Sequence, residues 1–154
     1  MDNTTRLNLR HVNVLFKNFE GRKVTANGRV LNQEGCRNFA VHMDPEMAQA
    51  LMDDGWSIKA GKVHNEDDEP WYYMPVSLRF DNFPPRVYLV TKTGKVLLDT
   101  DTIGELDSVD IAYADITIRP YCWEVNGKSG VKAYVKTMYA VLDENEFDSE
   151  YADR

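Results

Sequence analysis

The chain has 154 residues, of which 43% are hydrophobic and 28% are charged; this composition is typical of one globular domain and excludes a disordered protein. No apolar stretch approaches the roughly 20 residues that a membrane-spanning helix needs, and no basic segment precedes an apolar run at the N-terminus. We therefore expect neither a membrane partner nor a secretory signal. Cys36 and Cys122 lack a CxxC spacing and are expected to be reduced, partly buried thiols.

The net charge of −7 is concentrated in two segments. Residues 143–154 contain six acids and one base, a net charge of −5, and the run 66–69 adds another −4. The rest of the chain therefore carries +2 of the −7 total. An acidic protein is normally a poor candidate for nucleic acid, but here the acidity does not describe the body of the chain.

In chain order, strand character begins in the second half of 7–16 and returns at 38–43. Asp44 is a good N-cap, Pro45 suits the first helical position, and apolar residues at helical spacing lead to Gly55. This pattern predicts one short helix over 45–54. Further strands are predicted at 75–80, 86–91, 96–98, 113–119, 121–125 and 131–141, with a turn over 126–130.

Many short strands with Gly, Pro and Asn turns and one helix predict a mostly β protein. The size favours an OB-like β-barrel, closed or partly open, although periodicity alone leaves a β-sandwich open. We expect two parts: an OB-like β-barrel domain over 1–142 and a flexible acidic C-terminal tail over 143–154.

The last predicted hairpin is the most informative segment for function. In 131–141, alternation puts Lys132, Tyr134, Lys136 and Met138 on one face and Val131, Ala133, Val135 and Val141 on the core face. Tyr121 and Trp123 join the lysine face only if the turn has an even number of residues. Aromatic rings beside ammonium groups suit single-stranded nucleic acid, although strand aromatics also serve in packing.

A second basic and aromatic group lies in the first third of the chain. Lys17 and Arg37 are candidates to contact phosphates, and Phe19 is a candidate to stack on a base. The alternative is a solvated loop with buried Phe anchors.

The acidic tail is the third feature. Acidic tails with a few aromatic residues dock onto partners or compete for the protein's own basic groove, and the alternative is a solubilising terminus. The candidate partner-binding residues are Asp143, Glu144, Glu146, Phe147, Asp148, Glu150, Tyr151 and Asp153.

No catalytic constellation is recognisable. Thr93-Gly94-Lys95 lacks the rest of a phosphate-binding loop, the three histidines are scattered, and no nucleophile elbow occurs. We therefore expect no enzyme, no metal site and no cofactor. A rival interpretation is a metal-dependent hydrolase or nuclease that uses Asp99 and Asp101.

Several stretches together resemble a family of bacteriophage single-stranded-DNA-binding proteins, in an order that runs from about Leu9 to the tail. They are Phe16-Lys17-Asn18-Phe19-Glu20-Gly21, Gly35-Cys36-Arg37-Asn38-Phe39-Ala40-Val41, Asp54-Gly55-Trp56, and Glu124-Val125-Asn126-Gly127-Lys128 with Lys132-Ala133-Tyr134. The resemblance implies an OB-type barrel, binding of single-stranded DNA without base specificity, and a role in phage DNA replication or recombination. It also implies replication or recombination proteins as partners of the tail.

The leading hypothesis is therefore a non-enzymatic single-stranded-DNA-binding protein in the cytoplasm of a bacterial host. Phosphates would meet Arg37, Lys132, Lys136 and Lys17, while bases would stack on Trp123, Tyr134, Tyr121 and Phe19. The alternative is a protein-interaction module, such as a phage inhibitor that acts through its acidic surface. The sequence leaves the oligomeric state open, and a homodimer is one option.

Overall fold

The computed structural model describes residues 6–61, 67, 69–81 and 84–143. Within these ranges the chain forms eleven strands, one α-helix and one 3-10 helix. The elements are β1 (Leu7–Val12), β2 (Val14–Asn18), β3 (Val24–Ala26), β4 (Arg29–Asn32), β5 (Arg37–Met43), α1 (Pro45–Asp53), β6 (Lys59–Ala60), β7 (Tyr72–Leu78), β8 (Arg86–Thr91), β9 (Gly94–Leu98), the 3-10 helix (Ile103–Asp107), β10 (Ile111–Val125) and β11 (Lys128–Leu142). No helix among the described residues is both long enough and apolar enough to cross a membrane.

The predicted helix is confirmed, with its end one residue earlier than expected. The Asp44 carboxylate accepts a hydrogen bond of 2.8 Å from the Met47 amide, and Pro45 occupies the first turn. At the other end Gly55 adopts a φ of +92°, a conformation that L side chains rarely adopt, and the chain reverses there.

The main sheet runs in the order β1-β10-β11-β7-β5-β2, and β8 with β9 extends it from the second half of β11. β1 and β2 follow each other in the chain around Asn13, yet they pair with β10 and β5 at opposite ends of this order. No ladder among the described residues joins β1 to β2. The expected mostly β, OB-like barrel is therefore confirmed in its partly open form.

The core lies inside this curved sheet, where alternate residues of the long strands point inward. The 3-10 helix adds two fully buried residues to it. Fully or almost fully buried positions include Phe39, Val41, Met43, Met74, Val76, Leu78, Ile103, Leu106, Ala114, Ile116 and Ile118.

The last hairpin is longer than predicted and its turn is shorter. β10 and β11 are joined by Asn126 and Gly127 alone, whose φ values of 52° and 79° are those of a type I′ turn. The predicted turn over 126–130 is thus wrong, because Lys128 pairs with Val125 and the strands close directly on the Asn-Gly pair. The loop has an even number of residues.

A β-bulge changes which face the second half of β11 presents. Val135 pairs with Ile118 but Thr137 pairs with Thr117, so Lys136 is an extra residue in the ladder. Alternation restarts after it, and Met138 is fully buried instead of sharing the lysine face. Val141, expected in the core, is only half-buried for the same reason.

One element was not predicted and one expectation needs correction. β3 and β4 form an exposed hairpin around Asn27 and Gly28, with φ values of 53° and 77°. Cys36 and Cys122 are free thiols, as expected, but both are exposed rather than partly buried.

Candidate nucleic-acid interface

The outward face of the β10–β11 hairpin brings aromatic and basic side chains together. Tyr121 pairs with Lys132 and Arg119 pairs with Tyr134, and directly paired residues lie on the same face. The Tyr121 and Tyr134 rings meet edge to face, with centroids 6.1 Å apart, and Lys132 Nζ lies 5.3 Å from the Tyr134 centroid. We call Tyr121, Lys132 and Tyr134 the hairpin cluster. The even-numbered turn is what puts its two strands in this register.

A groove of about 730 Å³ opens beside the hairpin cluster. It lies between the segment that follows β4, the end of β7 and the outward face of β11. Among the described residues that line it, three basic side chains, Arg37, Arg79 and Lys132, outnumber one carboxylate, Asp81. The complete lining is Leu31, Asn32, Gln33, Gly35, Cys36, Arg37, Asn38, Ser77, Leu78, Arg79, Phe80, Asp81, Lys132 and Tyr134.

The two arginines of the groove are held in different ways. Arg37 Nη1 donates to the Phe19 carbonyl at 2.7 Å, and its guanidinium lies 5.8 Å from the Phe80 ring centroid. Arg79 donates to Asp81 through Nε at 3.3 Å and Nη2 at 3.0 Å. The hydrogen bonds and charge of Asp81 raise the pKa of Arg79 above its ordinary value. Any phosphate that binds Arg79 must therefore compete with Asp81.

Two of the predicted contact residues serve the fold instead. Lys17 Nζ donates to the Leu106 carbonyl at 2.9 Å and also to the Val109 carbonyl. These two hydrogen bonds connect β2 to the segment around the 3-10 helix. Phe19 has 0% of its surface exposed and stacks on Phe39 at 5.1 Å between centroids. A buried ring has no face to offer a base, so the interpretation of Phe19 as a stacking residue is corrected. We also leave Lys17 out of the interface.

Lys136 lies outside the groove, in a neighbouring recess of about 430 Å³. The bulge in β11 turns it toward the side of the sheet where β8 begins. Arg6, Arg86 and Arg119 line the same recess, together with Pro84 and Thr137, and none of the described residues that line it is a carboxylate. Because Arg119 also pairs with Tyr134 in the ladder, this basic recess adjoins the hairpin cluster.

Trp123 lies two residues beyond Tyr121 on the same face of β10, but it has different neighbours from the hairpin cluster. It pairs with Gly130, where an added Cβ would come within 2.9 Å of the Trp123 ring, so the indole lies against bare backbone. The recess that Trp123 lines also contains Asp54 and Glu124. Carboxylates at that point disfavour a phosphate.

Asp99, one of the two aspartates of the rival nuclease interpretation, is used by the fold. Its carboxylate accepts hydrogen bonds from the Thr102 hydroxyl and from the Asp101 and Thr102 amides, and these bonds lower the pKa of Asp99. The Asp107 carboxylate accepts from the amides of residues 19 and 20 at 2.8 and 3.0 Å. Among the described residues, no three His, Cys, Asp or Glu side chains are placed to hold a metal ion.

Of the acidic tail, only Asp143 is described, and its amide donates to the Asp110 carbonyl at 2.8 Å. The other predicted tail residues, Glu144, Glu146, Phe147, Asp148, Glu150, Tyr151 and Asp153, lie outside the described residues, as do two of the four residues of the acidic run 66–69.

Comparison with known proteins decides the family. Residues 2–154 match the family model described as "Putative phage ssDNA-binding domain". The chain belongs to this family. No curated protein matches it.

Solved structures give a consistent fold. The chain is similar to the single-stranded DNA-binding protein from bacteriophage Enc34 in complex with ssDNA, at 13% identity and a TM-score of 0.57, covering 90% of this chain and 86% of that one. The C-terminal truncation of the Enc34 protein gives a TM-score of 0.56 at the same identity and coverage. A further Enc34 structure gives 0.55 at 12% identity, covering 97% of this chain and 90% of that one. At such identities the likeness shows the fold and does not assign individual residues.

Sequence reasoning missed Arg79, Phe80 and Arg119 as interface candidates. Alternation within the predicted strand 75–80 would place Arg79 on the face of Ser77. The missing fact was that β7 runs parallel beside β11, with Ser77 next to Tyr134. Such a pairing joins residues far apart in the chain, and periodicity within one segment does not reveal it.

Proposed function

We propose that this protein binds single-stranded DNA without base specificity, along the groove and the hairpin cluster. The observation that carries the proposal is the juxtaposition of the Tyr121 and Tyr134 rings with Lys132, Arg37 and Arg79 at one groove. Its membership of a phage ssDNA-binding family supports the same ligand.

The chemistry of the groove suits a strand of variable sequence. Every base has a π-face, so Tyr134 and Tyr121 accept any base by stacking, which is worth about 1–3 kcal/mol per base. Lys132, Arg37 and Arg79 neutralise phosphates, which carry no sequence information. Beyond the groove, the recess that contains Lys136 supplies further cations for the next phosphates.

Within the same proposal the protein is a binding protein and not an enzyme. It would protect or organise single-stranded intermediates of phage DNA replication or recombination, in the cytoplasm of the host cell. The acidic tail would recruit proteins of those processes, or would compete with DNA for the groove.

A titration of labelled oligo-dT, followed by fluorescence anisotropy between about 50 and 200 mM salt, tests the proposal. We expect the logarithm of the association constant to fall linearly with the logarithm of salt concentration. We also expect oligo-dA and oligo-dC of equal length to bind with similar affinities and duplex DNA to bind more weakly. Affinity that does not change with salt, or no binding at all, would contradict the proposal.

The same titration on a chain that ends at residue 143 examines the tail. If the tail competes for the groove, its removal tightens DNA binding, and the gain is largest at low salt, where screening is weakest. If the shortened and full chains bind DNA equally at every salt concentration, the tail does not compete for the groove, and recruitment of proteins is its remaining proposed role.

A further inference from the structure

A strained aromatic residue lies at the surface of β2. Phe16 has a φ of 50°, in the left-handed region, where a bulky residue is a genuine outlier. It lies within a register shift between β2 and β5, and its side chain is 61% exposed. Both features disfavour folding, since Gly would fit the backbone better and a polar residue would suit the solvent. A bulge of this kind re-aims a side chain, and strain of this kind is concentrated at functional sites.

Phe16 is part of a group of four rings, which we call the aromatic corner: Phe16, His42, Trp71 and Tyr73. The Phe16 centroid lies 5.1 Å from that of Tyr73 and 6.3 Å from that of Trp71. His42 is nearly parallel to Trp71, with 14° between the planes. A Cβ added at Gly61 would come within 1.8 Å of the Trp71 ring, so the indole lies directly on the glycine backbone.

The aromatic corner lies on the same face as the hairpin cluster. Tyr134 is beside Ser77 in the parallel ladder, and Ser77 pairs with Asn38. Four residues along these two strands, Tyr73 pairs with His42. Because side chains alternate between the two faces of a strand, residues four apart lie on the same face. Ser77 and Tyr73 are therefore on one face and about 13 Å apart along β7.

Among the described residues, the pair that lies between the two groups along β5 and β7 is uncharged. Pro75, which is half-buried, pairs with Ala40, which is 3% exposed, between the Ser77–Asn38 pair and the Tyr73–His42 pair. Lys59 pairs with Tyr73 on its other side and supplies a cation at the corner. The strip therefore runs from one aromatic group to the other with a basic residue at each end.

We propose that the aromatic corner is a second base-stacking site for the same DNA strand. This inference rests on the function proposed above. A stacked strand advances about 3.4 Å per nucleotide, so 13 Å corresponds to about four nucleotides. An oligonucleotide of about two nucleotides is too short to span this distance and occupies one site, while one of about 16 nucleotides reaches both, within the range of OB-fold site sizes.

The Phe16→Gly variant tests the role of the ring in DNA binding without lowering the stability of the fold, because Gly removes the ring and also relieves the strained backbone. We expect its melting temperature to be no lower than that of the unchanged protein. We expect its affinity for a dT oligonucleotide of about 16 nucleotides to fall roughly tenfold, as the loss of one stacked base predicts. Affinity for the oligonucleotide of about two nucleotides should stay within roughly twofold, because that oligonucleotide binds at the groove.

Three further variants test whether a loss of affinity comes from the rings of the aromatic corner. Leu97→Ala shortens an apolar side chain of similar exposure, 57%, on β9 and should change neither oligonucleotide's affinity. Phe16→Tyr keeps a ring and should retain the affinity for the long oligonucleotide. His42→Ala removes an exposed ring of the corner without touching the bulge, and it should also weaken binding of the long oligonucleotide.

The outcomes distinguish the two proposals. If the unchanged protein binds neither oligonucleotide, the proposed function fails. If it binds both and neither Phe16→Gly nor His42→Ala weakens the long one, the second site is refuted while the function stands. Equal loss of affinity for the short and long oligonucleotides would also refute it, since the corner would then be part of the groove's own fold.

Discussion

Two groups of tyrosines with a lysine lie at opposite ends of β11, and they are chemically alike. The hairpin cluster near the start of β11 has been described above. At the other end, Tyr88 and Tyr139 stack with centroids 5.0 Å apart, and Lys95 Nζ lies 5.0 and 5.4 Å from those centroids. We call Tyr88, Lys95 and Tyr139 the distal cluster.

The neighbours of the two clusters differ in charge. Opposite Tyr134 on β10 is Arg119, whereas opposite Tyr139 is Asp115. The hairpin cluster borders a groove with three cations, whereas the distal cluster adjoins the exposed apolar residues Val96 and Leu97 on β9. A tyrosine–lysine contact is therefore not enough to indicate a DNA site. The charge on the next strand and the size of the adjoining recess, about 730 Å³ beside Tyr134 against about 190 Å³ beside Tyr139, distinguish one cluster from the other.

The largest expected effect comes from removing one tyrosine ring from each cluster in turn. Tyr134→Ala removes a stacking platform in the groove and should weaken oligo-dT binding by about 1–3 kcal/mol, which is roughly five- to 150-fold. Tyr88→Ala makes the same chemical change in the distal cluster and should alter DNA affinity by less than about twofold. Anisotropy titrations at one fixed salt concentration measure both.

Tyr134→Phe serves as the conservative control, because it keeps the ring and should retain most of the affinity. Thermal melts of all three variants establish that each is folded. Equal losses of affinity for Tyr134→Ala and Tyr88→Ala would mean that DNA contacts both ends of β11 and that the neighbouring charges do not select the site.

Local sequence signals predicted much of what distinguishes the clusters. Asp44, Pro45 and Gly55 determined the helix, because capping acts between residues close in the chain. The Asn126-Gly127 pair is a strong hairpin signal, and it explains why Tyr121 and Lys132 share a face. The aromatic and basic alternation before Lys136 therefore predicted the hairpin cluster from short-range patterns alone.

Long-range structure was not predictable in the same way. Nothing in the pattern around Lys136 indicates a bulge, so Met138 was assigned to the wrong face. Phe19 and Lys17 resemble exposed binding residues in sequence, but one enters the core and the other bonds carbonyls about 90 residues away. The aromatic corner needs β2, β5 and β7 side by side, and only the tertiary fold brings those strands together.

A smaller effect tests the lysines of the two clusters. Lys132→Gln should reduce the slope of the logarithm of affinity against the logarithm of salt concentration by about one unit, as expected for one lost phosphate contact. Lys95→Gln should leave that slope unchanged, although it removes the same charge from the protein. Titrations at four or more salt concentrations give both slopes. A similar reduction in both variants would indicate a response to net charge rather than a phosphate contact at Lys132.

The smallest expected effect is a gain of affinity, which comes from removing the Asp81 carboxylate from the groove. Asp81 holds the guanidinium of Arg79 at 3.0 Å and raises the pKa of Arg79, so it is the internal competitor for a phosphate there. Asp81→Asn removes that charge at an exposed ion pair, whose own contribution to stability is small. We expect DNA affinity to rise by roughly two- to fivefold and the salt slope to become steeper, because Arg79 becomes available to a phosphate.

Asp115→Asn, at the carboxylate opposite Tyr139, is the matched control and should leave the affinity unchanged. If Asp81→Asn binds DNA no more tightly than the unchanged protein, Arg79 does not contact the strand, and the DNA path leaves the groove on the side of Lys132 and Arg119.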